Sequence, residues 1–172
     1  MDARWPDEHW AQDSKQGGAN VFSQGCHTTD LIRYFAGSDP VQVHAVGGAM
    51  SHPNHPCIDQ CLASIRFANG TIASWVQGDI ALPQFTSKFF FQLFSDGKSV
   101  QLYNRLQSAT FFDGAKTWTE QGRGELEGFQ AEDEEFIAAL VEGRQPNVTL
   151  DDGIRATKMV LMADRAIRAV AP

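Results

Sequence analysis

Three Asx-Gly pairs, Asn69-Gly70, Asp96-Gly97 and Asp113-Gly114, divide the middle of this chain into runs of alternating or aromatic residues. An Asx-Gly pair between such runs is the strongest short-range sign of a hairpin, because the tight turn needs positive φ, which Gly, Asn and Asp tolerate best. The spacing predicts strands at about 61–68 with 71–78, 87–95 with 99–104, and 109–112 with 116–119. Val41-Gln42-Val43-His44-Ala45-Val46 alternates as a half-buried strand should and adds one more ahead of them. His44 falls opposite Val41, Val43 and Ala45, which makes it a solvent-facing sheet residue. The expectation is a mostly antiparallel meander of about six or seven strands. The Phe-rich run at 88–94 is too apolar to leave either face wholly in water. One face should pack under helices and the other, with the Trp75 strand, should meet a second subunit.

Polar and helical patterns flank this sheet. Residues 1–16 read as an irregular arm, with Trp5 and Trp10 as the apolar groups that pin it. At the other end, Ala131-Glu132-Asp133-Glu134-Glu135 loads acids onto the start of a helix carrying Phe136, Ile137, Leu140 and Val141. Gly143 and Pro146 stop it. Asp151 or Asp152 then caps a last helix whose Ala156, Val160, Ala163, Ile167 and Val170 recur at helical spacing. Its Arg155, Lys158, Arg165 and Arg168 read as a solvated face. The fold class that follows is α+β: an open, mainly antiparallel β-sheet with helices packed on one face, in a single domain over residues 1–172.

Composition narrows the function classes. With 42% hydrophobic and 20% charged residues the chain can bury a core, and at 172 residues it needs no staples. A net charge of −7 argues against nucleic acid, whose phosphates need a basic face. No apolar run is long enough to span a membrane, and Met1-Asp2 does not open a signal peptide, so a cytoplasmic location is expected. The odd cysteine count does not suggest disulfides. His52, His55, Cys57 and Cys61 do crowd together, but their spacing is not that of a structural zinc site. Pro53 and Pro56 mark a loop there, so solvent-facing histidines are expected rather than a metal site. Gly122-Arg123-Gly124 is the one Gly-x-Gly. It lacks the third glycine and the strand–helix context of a dinucleotide loop, so the chain alone is expected to bind no cofactor.

One segment carries chemistry. Gly17-Gly18 leads into a helical stretch on which Ser23, His27 and Asp30 share a face, with Leu31, Tyr34 and Phe35 on an apolar side and Gly37 as its end. Such a triplet is either a core histidine satisfied by its neighbours or an acid–base group presented to a cavity. In the second case Asn20, Gln24 and Trp10 are the nearby candidates for substrate binding, as hydroxyl-binding amides and an apolar wall for a sugar ring.

The same segment resembles the opening of the second domain of the Gfo/Idh/MocA oxidoreductases, the glucose–fructose oxidoreductase and inositol dehydrogenase family. Gly17-Gly18, Gly25, His27, Asp30 and Gly37 fall in step with that pattern. The 59–72 segment is similar to the family's central hairpin, and 136–143 with 151–156 to its closing helices. The resemblance runs over residues 5–170. It implies that His27 stands at the acid–base histidine and that NAD or NADP serves the full-length family. The implied ligand is a sugar or cyclitol; the homodimer expected through the sheet face rests on the apolar strands above. Ser23 departs from the family's usual aspartate; a hydroxyl can orient an imidazole but cannot stabilise imidazolium as a carboxylate does. The family's Rossmann half and its lysine are not seen in this sequence. Two functions therefore stand side by side: the substrate-binding and oligomerisation domain of an NAD(P)-dependent oxidoreductase, inactive as an isolated chain, or a free-standing non-catalytic oligomerising or ligand-binding module.

Overall fold

The computed structural model describes residues 5–80, 88–122 and 124–170. Its elements run α1 (Ala19–Ser23), α2 (Gly25–Ala36), β1 (Pro40–Gly48), β2 (Gln60–Phe67), β3 (Ile72–Gln77), β4 (Phe91–Ser95), β5 (Lys98–Tyr103), β6 (Ser108–Phe112), β7 (Thr117–Gln121), α3 (Glu125–Glu142) and α4 (Leu150–Val170), after a single 3-10 turn at Trp10–Gln12. This is an α+β fold in which every strand pairing among the described residues is antiparallel. All three Asx-Gly pairs stand at hairpins. At Asp96-Gly97 both residues have positive φ (49° and 73°), the tight turn that joins Ser95 to Lys98. At the other two only the glycine does, and the loops are longer. Residue 87, the expected start of a strand, residues 1–4 of the arm and the middle of the Gly-x-Gly lie outside the described residues.

The strands form two sheets, of order β1-β2-β3 and β4-β5-β6-β7, where the sequence suggests one meander. They belong to two compact units, residues 1–86 with 150–172, and residues 87–149. In the first unit the sheet alternates cleanly. Cys61, Ala63, Ile65, Phe67 and Trp75 are buried on one face, and α2 and α4 pack with them on that side. From α4 come Ala156, Met159, Val160, Ala163 and Ile167, at helical spacing, while Val170 is exposed. The buried side of α2 is Gly25, Thr29 and Ile32 rather than Tyr34, which is exposed. Thr29 Oγ1 donates to the Ala156 carbonyl at 2.9 Å, a buried tie between the two helices. The opposite sheet face exposes the cross-strand row Val46, Leu62 and Val76. A register shift between Pro40 and Gln42 takes Val41 out of the alternation and into solvent, while His44 is exposed as expected.

Asp151 and Asp152 lie inside the first turn of α4 rather than at its cap. Their charges complement the helix dipole and also meet cations. Arg33 Nη1 donates to Asp152 Oδ1 at 2.9 Å and its Nε to Asp39 Oδ1 at 2.9 Å. Arg155 bonds Asp39 and Asp151, so it belongs to this ion-pair chain and not to a free solvated face.

In the second unit, Leu93, Val100, Phe111 and Trp118 line up across β4–β7 as one apolar row. Phe111 and Trp118 stack at 5.2 Å. The other face is largely polar, with Thr110 and Thr119 hydroxyls at 2.9 Å and Ser108 donating to Gln121 at 2.8 Å. Gly143 ends α3 in the left-handed conformation, and Arg144 forks onto Glu135, holding its carboxyl down to about 2. Phe136, Ile137, Leu140 and Val141 of α3 are exposed.

Candidate functional site

The segment that carries His27 begins with a close approach. A Cβ on Gly17 would lie 2.3 Å from the Ala11 Cα, so only glycine lets the 3-10 turn pack there. Ala11 and Gln12, fully buried, anchor the arm; Trp10, expected as one of its anchors, is 57% exposed, with its ring beside His9. Gly18 and Ala19 both have positive φ (71° and 64°), and the chain then makes a short α1 that stops at Gln24. Gly25 starts α2 directly on the Trp75 indole, where a Cβ would lie 2.9 Å from Cζ2.

This break puts Ser23 on α1 and leaves His27 and Asp30 three apart on α2. Ser23 ends α1 and its hydroxyl donates to the Ala19 carbonyl at 2.9 Å. His27 lies in the first turn of α2 and is exposed; its amide donates to the Gln24 carbonyl at 3.2 Å. Asp30 is half-buried one turn on. Among the described residues no hydrogen bond joins the His27 ring to Ser23 or Asp30, so the expected bonded triplet is not formed. The i, i+4 rule holds along one continuous helix, and here there are two. Burial pushes the neighbouring Cys26 thiol up, which disfavours the thiolate.

The amides near His27 divide in role. Asn20 is fully buried, with no surface to offer a ligand. Its Oδ1 accepts from Gln77 Nε2 at 2.6 Å. Gln77 Oε1 accepts from Thr28 Oγ1 at 2.9 Å and from Trp75 Nε1 at 3.4 Å. Gln24 is half-buried, and its Oε1 is buried with no partner among the described residues. Neither Gln77 nor Thr28 is legible as a site residue in the sequence, although a glutamine two places after Trp75 on an alternating strand has to face the core.

A second polar cluster lies in the loop between β1 and β2. Asp59, fully buried, accepts backbone N–H bonds from Met50 (2.8 Å), Ser51 (3.2 Å) and His52 (2.8 Å). The loop winds around this carboxylate and turns His52 inward. His52 is 1% exposed, which corrects the expectation of a solvent-facing residue. Its Nδ1 lies 2.6 Å from Asp7 Oδ1, and its Nε2 lies 2.8 Å from Gln12 Nε2 and 3.2 Å from Asp79 Oδ2. Gln60 Nε2 bonds both Ser51 Oγ and Asp79 Oδ1. Cys57 and Cys61 are buried, and the Cys61 thiol is pushed up to about 11 by burial. Among the described residues no group of three or more His, Cys, Asp and Glu is arranged to hold a metal ion. The cluster ties the arm to the sheet.

Residues 1–89, which contain both clusters, match the family model of the GFO/IDH/MocA C-terminal domain. The chain belongs to this family. Solved structures agree on the fold of the GFO/IDH/MocA domain over nearly the whole chain. An aldose-aldose oxidoreductase from Caulobacter crescentus, crystallised with glycerol, superposes with a TM-score of 0.83 at 18% identity, covering 98% of this chain and 51% of that one. A levoglucosan dehydrogenase in complex with NADH and levoglucosan gives 0.84 at 18%, covering 97% and 55%. A myo-inositol 2-dehydrogenase from Lactobacillus plantarum gives 0.67 at 23%, covering 92% and 49%. The chain thus spans about half the length of these proteins. No curated protein matches it.

A GFO/IDH/MocA C-terminal domain of this kind does not fit a dinucleotide by itself. Among the described residues every strand pair is antiparallel and no βαβ crossover is present whose glycine loop could direct amides at a pyrophosphate. Among the described residues no helix is long and apolar enough to cross a membrane.

Proposed function

We propose that this chain is the substrate-binding and oligomerisation domain of an NAD(P)-dependent oxidoreductase acting on a sugar or cyclitol hydroxyl, with His27 as its acid–base group. The observation that carries the reading is the placement of His27. It is an exposed imidazole in the first turn of α2, on a junction anchored by Trp75, within the segment matched to the family. Oxidising a secondary alcohol requires a group that takes the hydroxyl proton, and an exposed histidine can reach one. The redox chemistry belongs to a nicotinamide held outside this chain. The sugar or cyclitol class rests on the names of the structural relatives, which include aldose, levoglucosan and myo-inositol enzymes. Of the expected neighbours, Gln24 and the exposed Trp10 remain the candidates for contacting a polyol.

Assembly belongs to the same proposal. The Val46–Leu62–Val76 row offers an apolar sheet surface for a homodimer, and Phe90 and Phe94 in the second unit are also exposed. Trp75 takes no part in such a surface, being 1% exposed on the inner face.

A second reading, a non-catalytic ligand-binding module, is favoured by one observation. Ser23 stands where the family pattern usually has a carboxylate, and its hydroxyl donates to the Ala19 carbonyl rather than to the His27 ring. Following the His27 ring resonances by NMR during titration with myo-inositol and with levoglucosan separates the two. The acid–base reading predicts that a bound polyol shifts His27. Binding that leaves His27 unmoved supports the module. Calorimetry with NAD(H) and NADP(H) should give no heat at micromolar concentration, and tight binding would contradict the division of labour.

A further inference from the structure

Gln77 joins the two helices across the break that precedes His27. Its side chain is almost wholly buried, and its hydrogen bonds can run in one direction only. The Trp75 indole N–H is a donor and never an acceptor, so the oxygen of Gln77 must face it. That same oxygen receives the Thr28 hydroxyl. The Gln77 amide nitrogen is then left pointing at Asn20, which must answer with Oδ1, at 2.6 Å. The consequence is visible in Asn20, whose Nδ2 is buried with no partner among the described residues. Asn20 thus keeps a buried donor without a partner among the described residues, in an arrangement that grips α1 and α2 at once.

We propose that Gln77 is a positioning residue for His27: through Asn20 on α1 and Thr28 on α2 it fixes the angle of the α1–α2 junction and hence the direction of the neighbouring imidazole. The inference rests on the reading of His27 as the acid–base group. Gln24, at φ −114° and ψ −25°, makes no side-chain cap to α2, and the break is bridged locally by the Gln24 amide on the Asn20 carbonyl (2.9 Å) and the His27 amide on the Gln24 carbonyl (3.2 Å), to which the Gln77 side chain adds a tie from the sheet. The Gly25–Trp75 contact brings α2 close to the sheet, and Thr29 on the Ala156 carbonyl ties it to α4. Thr28, adjacent to His27, is the residue of α2 that Gln77 ties to the sheet and, through Asn20, to α1.

The test compares Gln77→Leu, Gln77→Glu, Thr28→Val and His27→Ala in the dinucleotide-bound enzyme, with kcat, KM and melting temperature read for each. Leucine removes both ties. Glutamate keeps an oxygen for Trp75 and Thr28, and its second oxygen can accept from a turned Asn20 amide, so the grip survives while a buried charge lowers stability. The expected pattern is a kcat loss on the order of tenfold or more in Gln77→Leu and Thr28→Val with KM little changed, as for a misplaced reacting group. Gln77→Glu should recover most of that loss although its melting temperature falls below that of Thr28→Val. Turnover that follows stability through the series, with Thr28→Val equal to wild type and Gln77→Glu impaired, overturns the proposal and leaves Gln77 a packing residue. Loss in His27→Ala together with normal Gln77→Leu turnover overturns it alone, whereas normal turnover in His27→Ala removes the acid–base reading and this inference with it. On the chain by itself, hydrogen exchange at the His27 amide should accelerate in Gln77→Leu and stay slow in Gln77→Glu. Equal exchange in the two counts against the relay.

Discussion

Gly25 packs against the Trp75 indole, with no room for a methyl group between them: a Cβ there would lie 2.9 Å from Cζ2. Trp75 cannot retreat, because it is 1% exposed and its N–H is held by Gln77. Gly25→Ala gains helix propensity of about 1 kcal/mol but forces a buried ring to move, which typically costs about 1–3 kcal/mol. The expected net effect is destabilisation of about 1 kcal/mol in urea unfolding, against the stabilisation that helix propensity alone predicts.

The loop between β1 and β2 depends on one carboxylate. Asp59 accepts three backbone N–H bonds while fully buried. Asp59→Ala leaves those donors without partners and should cost about 3 kcal/mol or more. Hydrogen exchange at Met50, Ser51 and His52 checks it: those amides should lose protection before the strands do.

Acid should loosen the contact between α2, the start of β1 and α4. The Arg33 hydrogen bond, with Arg155 beside it, holds the Asp39 carboxyl below its usual value. A carboxyl lowered on folding stabilises above its unfolded value, near 4, and that contribution disappears as pH falls through the lower folded value. Asp39→Asn should therefore reduce the melting temperature at neutral pH. The difference from wild type should shrink below about pH 4 and in high salt, since Asp39 is partly exposed.

If the Val46–Leu62–Val76 row is the subunit contact, Leu62→Glu should convert a dimer to a monomer in light scattering at tens of micromolar. Leu62 is 52% exposed, so the monomer itself should lose little stability.

The sheet is largely legible in the sequence because its signals are local. Turn residues announce hairpins, and alternation fixes which side chains go inward, so residue order alone places Cys61 through Phe67 and the three Asx-Gly turns. Two kinds of feature are hidden. The helix break at Gln24 arises from contacts distant in sequence: Gly17 against Ala11, Gly25 against Trp75, and Asn20 and Thr28 through Gln77. A helical wheel through residues 23–30 therefore runs Ser23 into the same helix as His27 and Asp30, where the chain places it on α1 and the other two on α2. Pro and polar residues around His52 suggest an exposed loop, yet Asp59 folds that loop inward through backbone bonds that composition does not reveal. His27 stands out by its place in a family pattern, and Gln77 is recognisable only as a polar residue on the buried side of a strand.

The central claim, that the exposed His27 imidazole exchanges the substrate hydroxyl proton, is tested most directly by His27→Ala turnover. The assay combines the chain with a dinucleotide-binding half, with melting temperature read in parallel on the chain. The account predicts a kcat loss of about 10²–10⁴-fold, as for removal of a general acid–base group. The melting temperature should hardly move, because the side chain is exposed. Turnover equal to wild type would contradict the account and leave His27 a surface residue of a binding module.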